Sequence, residues 1–417
     1  MMRALFAGVS GLRNHQTRMD VIGNNIANVN TVAFKSSRVT FKEAFVQLLQ
    51  GASRPPGNQG GINPIQIGTG MNVASIDQLF TQGSLESTGQ PLDLAIQGDA
   101  LFVLADGPRT LFTRAGNFQL DANGRLISPS SGNVVQGINA DSLGNFSTGS
   151  TITDVQLRLG EKSPAQATGN VTLSGNLDAN AAIGATHTMG ITVYDSAGTP
   201  HDMQLTFTNT GAGAWSWQGS SATATVAPAG SGTATFSPTG SLLGFTFPGG
   251  GTNIAMTPTS GGAPFNVVVN PGTINGIDGL ASFANPSNGV ISGQDGYQSG
   301  SLQGISVDNS GIITGYFTNG VSRALAQVAL AQFTNPSGLL RTGDNTYSES
   351  ANSGGPVIGF AGGTISSSIT PGALEGSNVD ISQEFTNMII AQRGFQANAR
   401  VISTSDEMLN ELVNLRR

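Results

Sequence analysis

The chain has no cysteine, three histidines and three lysines, and only 10% of its residues are charged, against an ordinary share of about 25%. Without cysteine there is no disulfide framework, no thiolate nucleophile and no cysteine-ligated zinc; the absence fits any compartment. His15, His187 and His201 never fall at H-x-H or H-x-x-x-H spacing, so a histidine metal site has no support. His15, near Arg13 and Arg18, reads as a surface residue. A net charge of −7 with so few lysines leaves no basic patch for nucleic acid. No apolar run approaches the length of about 18 residues that a membrane helix needs. The opening "MMRALFAGVSGLRNHQTRMD" lacks the apolar core and cleavage site of a signal peptide. There is no G-x-S-x-G elbow and no phosphate-binding G-x-x-x-x-G-K-[ST] loop. Aromatics at 6% offer little for stacking a sugar. No constellation supports an enzyme, a cofactor or a metal ion.

The two ends read as helix. In "SNVDISQEFTNMIIAQRGFQANARVISTSDEMLNELVNLRR", Asp380 and Gln383 resemble a capping box. From there Ile381, Phe385, Met388, Phe395, Ala399, Ile402, Leu409 and Val413 follow alternating steps of four and three, interrupted by Gln392 and Asp406. That is a coiled-coil seam with two polar positions that set register. A helix unbroken to Leu415 would be about 50 Å long. At the N-terminus Leu5, Val9, Leu12, Met19, Ile22 and Ile26 make a second stripe, broken by Gln16. Gly8, Gly11 and Gly23 weaken that helix by up to about 1 kcal/mol each. Neither stripe can be buried by one helix alone. They pair within the monomer, or they also pack against identical subunits. The first 50 residues hold six Lys and Arg against two Asp and Glu, whereas residues 371–417 hold four against six, a contrast that suits helices meeting in an assembly.

The middle has a period of two. The 58 glycines are about twice the usual share, and "LDLAIQGDALFVLADG" reads as strands and turns. Four turns share the form D-x-x-G: Asp121 to Gly124, Asp141 to Gly144, Asp195 to Gly198 and Asp308 to Gly311. Asp opens such a turn through its carboxylate and Gly closes it at positive φ; calcium-loop spacing is not matched. Ile191 and Val193 before one turn, and Met203, Leu205 and Phe207 after it, alternate as paired strands do. "FKEAFVQLLQ" at 41–50 reads as a short helix, followed by a Pro/Gly/Asn-rich linker. No charged residue occurs from Met203 to Ile277.

These features predict a mainly β chain with long terminal α-helices, nested in order. A helix over 1–30 leads through a linker at 31–70 into a discontinuous β domain at 71–150 plus 291–370. An outer β domain at 151–290 is inserted in it, and 371–417 closes the chain as a coiled-coil helix. Deleting 375–417 should then leave a β-folded monomer unable to polymerise.

"GLRNHQTRMDVIGNNIANVNTVAFKSSRVTF" resembles the N-terminal signature of the bacterial flagellar axial proteins, the rod, hook and hook-associated families. Its core is carried by Asn24, Asn25, Ile26, Ala27, Asn28, Asn30, Thr31, Phe34 and Lys35. Ala33 stands where the pattern has glycine, a departure that stiffens the turn. The C-terminal stretch resembles the matching C-terminal signature. "GNLDANAAIGATHTMGITVYDSAGTPHDMQLTFTNTGAGAWSWQ" is similar to the inserted domain of the hook family, whereas distal rod proteins are shorter and lack it. The resemblance implies a homopolymer of identical subunits forming a flexible helical tube, with terminal helices inside and β domains outside. It implies rod, hook-cap and hook–filament junction proteins as partners, passage through the flagellar export apparatus, no nucleic acid and no membrane insertion. Phe34 would be an anchor, with Lys35 at its side. A distal rod protein, or a secreted β-rich adhesin or enzyme, stays open as an alternative.

Overall fold

The structure, a computed structural model, describes every residue except 1, 53–60, 148, 150, 159, 161, 229 and 415–417. Two helices frame a chain that is otherwise mostly strand: α1 over Met2–Ala27 and α2 over Ile381–Asn414. Asp380 caps α2, its Oδ1 accepting the amides of Ser382 and Gln383 at 2.8 and 3.1 Å. At 34 residues α2 is about 50 Å long; Leu415, the end expected from the sequence, lies outside the described residues.

Two compact units divide the chain. One comprises Met1–Arg158, Ile305–Thr314 and Ala324–Arg417; the other comprises Leu159–Gly304 and Gly315–Arg323. These limits differ from the 151–290 insertion expected from composition, because strand pairing rather than composition sets where a unit closes.

In the first unit the segment after α1 is strand, not helix. The strands β1 (Ser37–Glu43), β2 (Val46–Gln50), β3 (Ile65–Gly68) and β4 (Met71–Gln78) form two antiparallel pairs, β1 with β4 and β2 with β3. The helix expected at 41–50 is overridden by this pairing, since its apolar residues fit either period and only the partner strands decide. The 31–70 linker is therefore largely structured, apart from 53–60, which lie outside the described residues. Beyond it run β5 (Leu85–Ser87), β6 (Leu94–Gln97), β7 (Leu101–Asp106) and β8 (Arg109–Thr113). Late segments pair with these early ones: Leu330–Gln332 with β7, Thr346–Ser348 with β8, Ser368–Pro371 with β6 and Ala373–Glu375 with β5. The core holds Leu94, Ile96, Phe102, Leu104, Val328 and Leu330, so both halves of the chain contribute to it.

The second unit is a sandwich of two sheets. Strands Thr186–Tyr194, Pro200–Gly211, Ala214–Ser220, Gly232–Phe236 and Leu242–Thr246 make a five-stranded antiparallel sheet; a six-stranded sheet is centred on Asn170–Asn176 and Phe265–Asn270. Alternation is clean along Pro200–Gly211, where Met203, Leu205 and Phe207 point inward to meet Trp215, Trp217, Val267 and Val269. Trp217 stacks on Phe245 at 4.9 Å.

The D-x-x-G turns share one geometry. In each, Asp Oδ1 accepts the amides two and four residues on, at 2.8–2.9 Å, and the glycine has φ between 75° and 87°. A side chain at that φ costs about 1–2 kcal/mol. At Gly198 it would also stand 2.8 Å from the Ala165 Cβ. Gly198→Ala should therefore destabilise the second unit by about 1–2 kcal/mol or more. Tryptophan fluorescence in urea reads this unit alone, because Trp215 and Trp217 are the only tryptophans; an unmoved midpoint would contradict the assignment.

Candidate assembly site

α1 and α2 lie side by side and antiparallel. Gly8 meets Ile402, Gly11 meets Asn398, His15 meets Gly394, and Arg18 donates to Asn387 Oδ1 at 3.3 Å. On the α1 side the contact is opened by Gly8 and Gly11, which face Ile402 and Asn398 of α2. A Cβ on Gly11 would stand 2.6 Å from the Asn398 side chain, and one on Gly394 would stand 2.6 Å from the His15 ring. Gly8 and Gly11, which cost helix propensity locally, thus let the axes approach. His15 is half-buried against Gly394 and Phe41 rather than freely exposed, because the close approach of α2 covers part of it.

The stripe residues are divided by this packing. Ile22 is buried, while Leu5, Leu12, Met19 and Ile26 are half-buried and Val9 is exposed. On α2, Met388, Phe395, Ala399, Ile402 and Leu409 are half-buried, and Ile381, Phe385 and Val413 are exposed. Ile389, Ile390, Val401 and Met408 are exposed as well. Their spacing places apolar side chains on every side of the α2 axis, the pattern of a helix that ends up enclosed.

The signature after α1 is a set of local bonds. Asn28 Nδ2 donates to Asn24 O and Oδ1 at 2.9 and 3.0 Å, and Asn28 Oδ1 accepts from Thr31 at 3.1 Å. Asn25 binds Ser37 in both directions, at 2.9 and 3.0 Å, and so joins α1 to β1. Ala27 and Asn30 are exposed. Ala33 has φ 57°, the left-handed conformation for which the family pattern supplies glycine. Its amide donates to Glu375 O at 2.8 Å, and that bond holds the conformation in spite of the Cβ. Phe34 is buried, with the Arg341 guanidinium 5.1 Å above its ring.

Lys35 belongs to a cluster, centred on Glu375, that no sequence motif revealed. Its Nζ lies 2.8 Å from Glu375 Oε1 and donates to Thr81 O at 2.7 Å. Arg114 Nε binds Glu375 Oε2 at 2.5 Å, and its remaining nitrogens reach Ala100 O and Ile96 O. Gly83 N also donates to Glu375 Oε1. The three side chains are 1%, 0% and 4% exposed for Lys35, Glu375 and Arg114. Burial is the largest influence on Glu375 and opposes its charge, yet Arg114 and Lys35 together hold its carboxyl below the usual carboxylate range. Burial also pulls the Lys35 ammonium below its ordinary value, against the attraction of Glu375. The asymmetry is expected, since one carboxylate serves two cations. Three residues on, Asn378 takes the Ser36 amide at 2.8 Å and donates to Leu79 O at 2.7 Å. A cut at 375 therefore falls inside the structure that closes the first unit, and the expectation that 375–417 can be deleted cleanly does not hold. A deletion that spares Glu375 and Asn378 has to start beyond Asn378.

Removing one partner of a buried ion cluster costs about 3–5 kcal/mol, because the other charges are left without compensation. Glu375→Gln should take that much from the first unit, read as lost hydrogen-exchange protection in β6, β7 and β8, and should leave the tryptophan-monitored transition in place. Acid should act alike. The stability contributed by Glu375 is complete above its ordinary value of 4.5 and is lost as pH falls through its lower folded value.

Comparison with known proteins matches this architecture segment by segment. The family model described as "Flagella basal body rod protein" matches residues 5–35, and "Flagellar hook protein FlgE/F/G D1 domain" matches 95–181. "Flagellar basal body protein FlaE D2 domain" matches 162–297, and "Flagellar basal body rod FlgEFG protein C-terminal" matches 370–415. The chain is 40% identical over 446 residues to the flagellar hook protein FlgE of Borreliella burgdorferi, covering 100% of both. It is 34% identical over 429 residues to that of Salmonella typhimurium, covering 98% of each. The flagellar basal-body rod protein FlgG of Bacillus subtilis is 29% identical over 418 residues, with 100% of each covered. In fold, the chain is similar to the crystal structure of Helicobacter pylori flagellar hook protein FlgE2, with TM-score 0.50 and 13% identity over 68% of this chain and 98% of that one. With full-length relatives at this level of identity, the chain belongs to the flagellar hook protein family.

Proposed function

We propose that this chain is a structural subunit of the bacterial flagellar hook, polymerising with copies of itself into a flexible tube that joins rod to filament and passes on torque as a universal joint. The observation that carries the reading is the helix pair, whose apolar residues stay in water after the two helices have packed. Phe6, Phe385, Ile389 and Ile390 are each more than half exposed, at 66%, 51%, 57% and 52%. Fully burying such a side chain is worth about 1.5–3 kcal/mol, and neighbouring helix pairs supply that burial from every side. A second uncovered surface is the hairpin of β2 and β3. All nine of its strand residues are exposed, Val46, Leu48, Leu49, Ile65 and Ile67 among them. A lone two-stranded hairpin is marginal in water, so this one gains from a neighbouring subunit too.

Flexibility follows from the contrast between inner and outer contacts. Apolar helix contacts hold the tube together, while the second unit has no charged residue from Met203 to Ile277 and so offers few fixed ion pairs between outer surfaces. Small slides there accommodate bending while the inner contacts persist. The partners are identical subunits, the rod, the hook cap, the hook–filament junction proteins and the flagellar export apparatus. The subunit resides in the extracellular part of the flagellum and acts structurally rather than as an enzyme. A distal rod protein is the second reading, favoured by the full-length likeness to a rod protein; electron micrographs of purified polymer separate the two, since a straight rigid rod would overturn the hook assignment.

Truncation after Val379 should abolish polymerisation while Glu375, Asn378 and the tryptophan-monitored transition remain intact. Phe385→Ser with Ile389→Ser should change monomer stability by less than about 0.5 kcal/mol, as exposed sites do, and raise the concentration needed for polymerisation at least tenfold. Sedimentation of seeded reactions measures both; tubes formed normally by either protein would refute the assembly role of α2.

A further inference from the structure

His15 is a titratable group with one ring nitrogen shut away from any partner among the described residues. Its ring is wedged between the two terminal helices, with Cε1 and Nε2 facing Gly394 so closely that a Cβ there would come within 2.6 Å of both atoms. Phe41 of β1 meets the ring edge-on at 6.0 Å. Nδ1 is buried and has no hydrogen-bond partner among the described residues. Of the groups around it, Gly394 and Phe41 carry no charge, and Arg18, one turn along α1, repels a second cation.

We propose that His15 is a pH-sensitive pin of the helix pair, whose protonation in mild acid loosens α1 from α2 and so weakens the assembly surface they form together. Neutral imidazole can leave Nδ1 as an idle lone pair. The imidazolium must carry a proton on both nitrogens, one of them buried without an acceptor, and its charge is opposed by that of Arg18. Burial first, and Arg18 second, hold the ring below its ordinary value of 6.5. A group depressed in the folded state contributes stability that is complete above 6.5 and is lost as pH falls through the folded value. Glu384, in the first turn of α2, has the opposite sense. Burial raises its carboxyl, and Asn25 and Arg18 only partly offset this. Its neutral form is the better tolerated, so its contribution grows as pH falls toward 4.5. Glu384 therefore opposes the His15 effect and cannot imitate it.

The test is hydrogen exchange on the full-length protein at about pH 7.5 and about pH 5, corrected for intrinsic exchange, with His15→Gln and His15→Phe beside the unchanged chain. Gln keeps a polar side chain and Phe keeps a flat ring; neither titrates. The expected result is at least a tenfold loss of protection across α1 and the facing part of α2 in mild acid, reduced to less than twofold in at least one variant. Strands of the second unit should not change in step. An equal acid loss in both variants, no acid loss in the unchanged chain, or helices unprotected at both values overturns the proposal.

Discussion

Glu375 accepts from Lys35 and Arg114 in a space that water does not reach, and the three residues come from the two ends and the middle of the chain. Such a cluster is poor evidence of net stability, since desolvating three charges offsets much of their attraction. Its effect is on specificity: two buried cations tolerate no arrangement that lacks the carboxylate. The strand that carries Glu375 pairs with β5, its carbonyl takes the amide of Ala33, and Asn378 accepts from Ser36, the residue before β1. The exit of α1 and the entry of α2 are thereby held in one place.

That constraint decides what the helices present. Anchored at one end, α1 and α2 run antiparallel and meet where Gly8, Gly11 and Gly394 face Ile402, Asn398 and His15, while Phe6, Phe385, Ile389 and Ile390 stay exposed. A helix pair joined by its largest side chains would satisfy itself as a monomer. One joined across glycines keeps much of its hydrophobic surface for neighbours, at the cost of exposing that surface until they arrive. The β units serve the opposite need, with closed cores and turns stitched by Asp carboxylates.

Several expectations failed for related reasons. The segment 41–50 has apolar residues that suit a helix or a strand, and its state was settled by β3 and β4, which follow it. His15 carries no local sign of burial; Gly394, 379 positions later, covers it. Gly8 and Gly11 read as weak points because propensity is a property of one helix, whereas their use is a property of two. Ala33 shows the converse, a family pattern pointing to a left-handed position that alanine occupies under tertiary restraint.

Features whose physics is complete within a few residues were set by the sequence alone. Asp380 reaches amides two and three positions on, and each D-x-x-G turn closes on its own carboxylate and glycine. The helical and two-residue periods at the ends and in the middle follow from side-chain order. The tertiary structure decided which strands pair, which side of each helix is covered, and that Lys35 belongs with Glu375, 340 positions away, and with Arg114. Partners so distant are brought together by topology, and the sign of a charge in sequence does not say which opposite charge will share its burial.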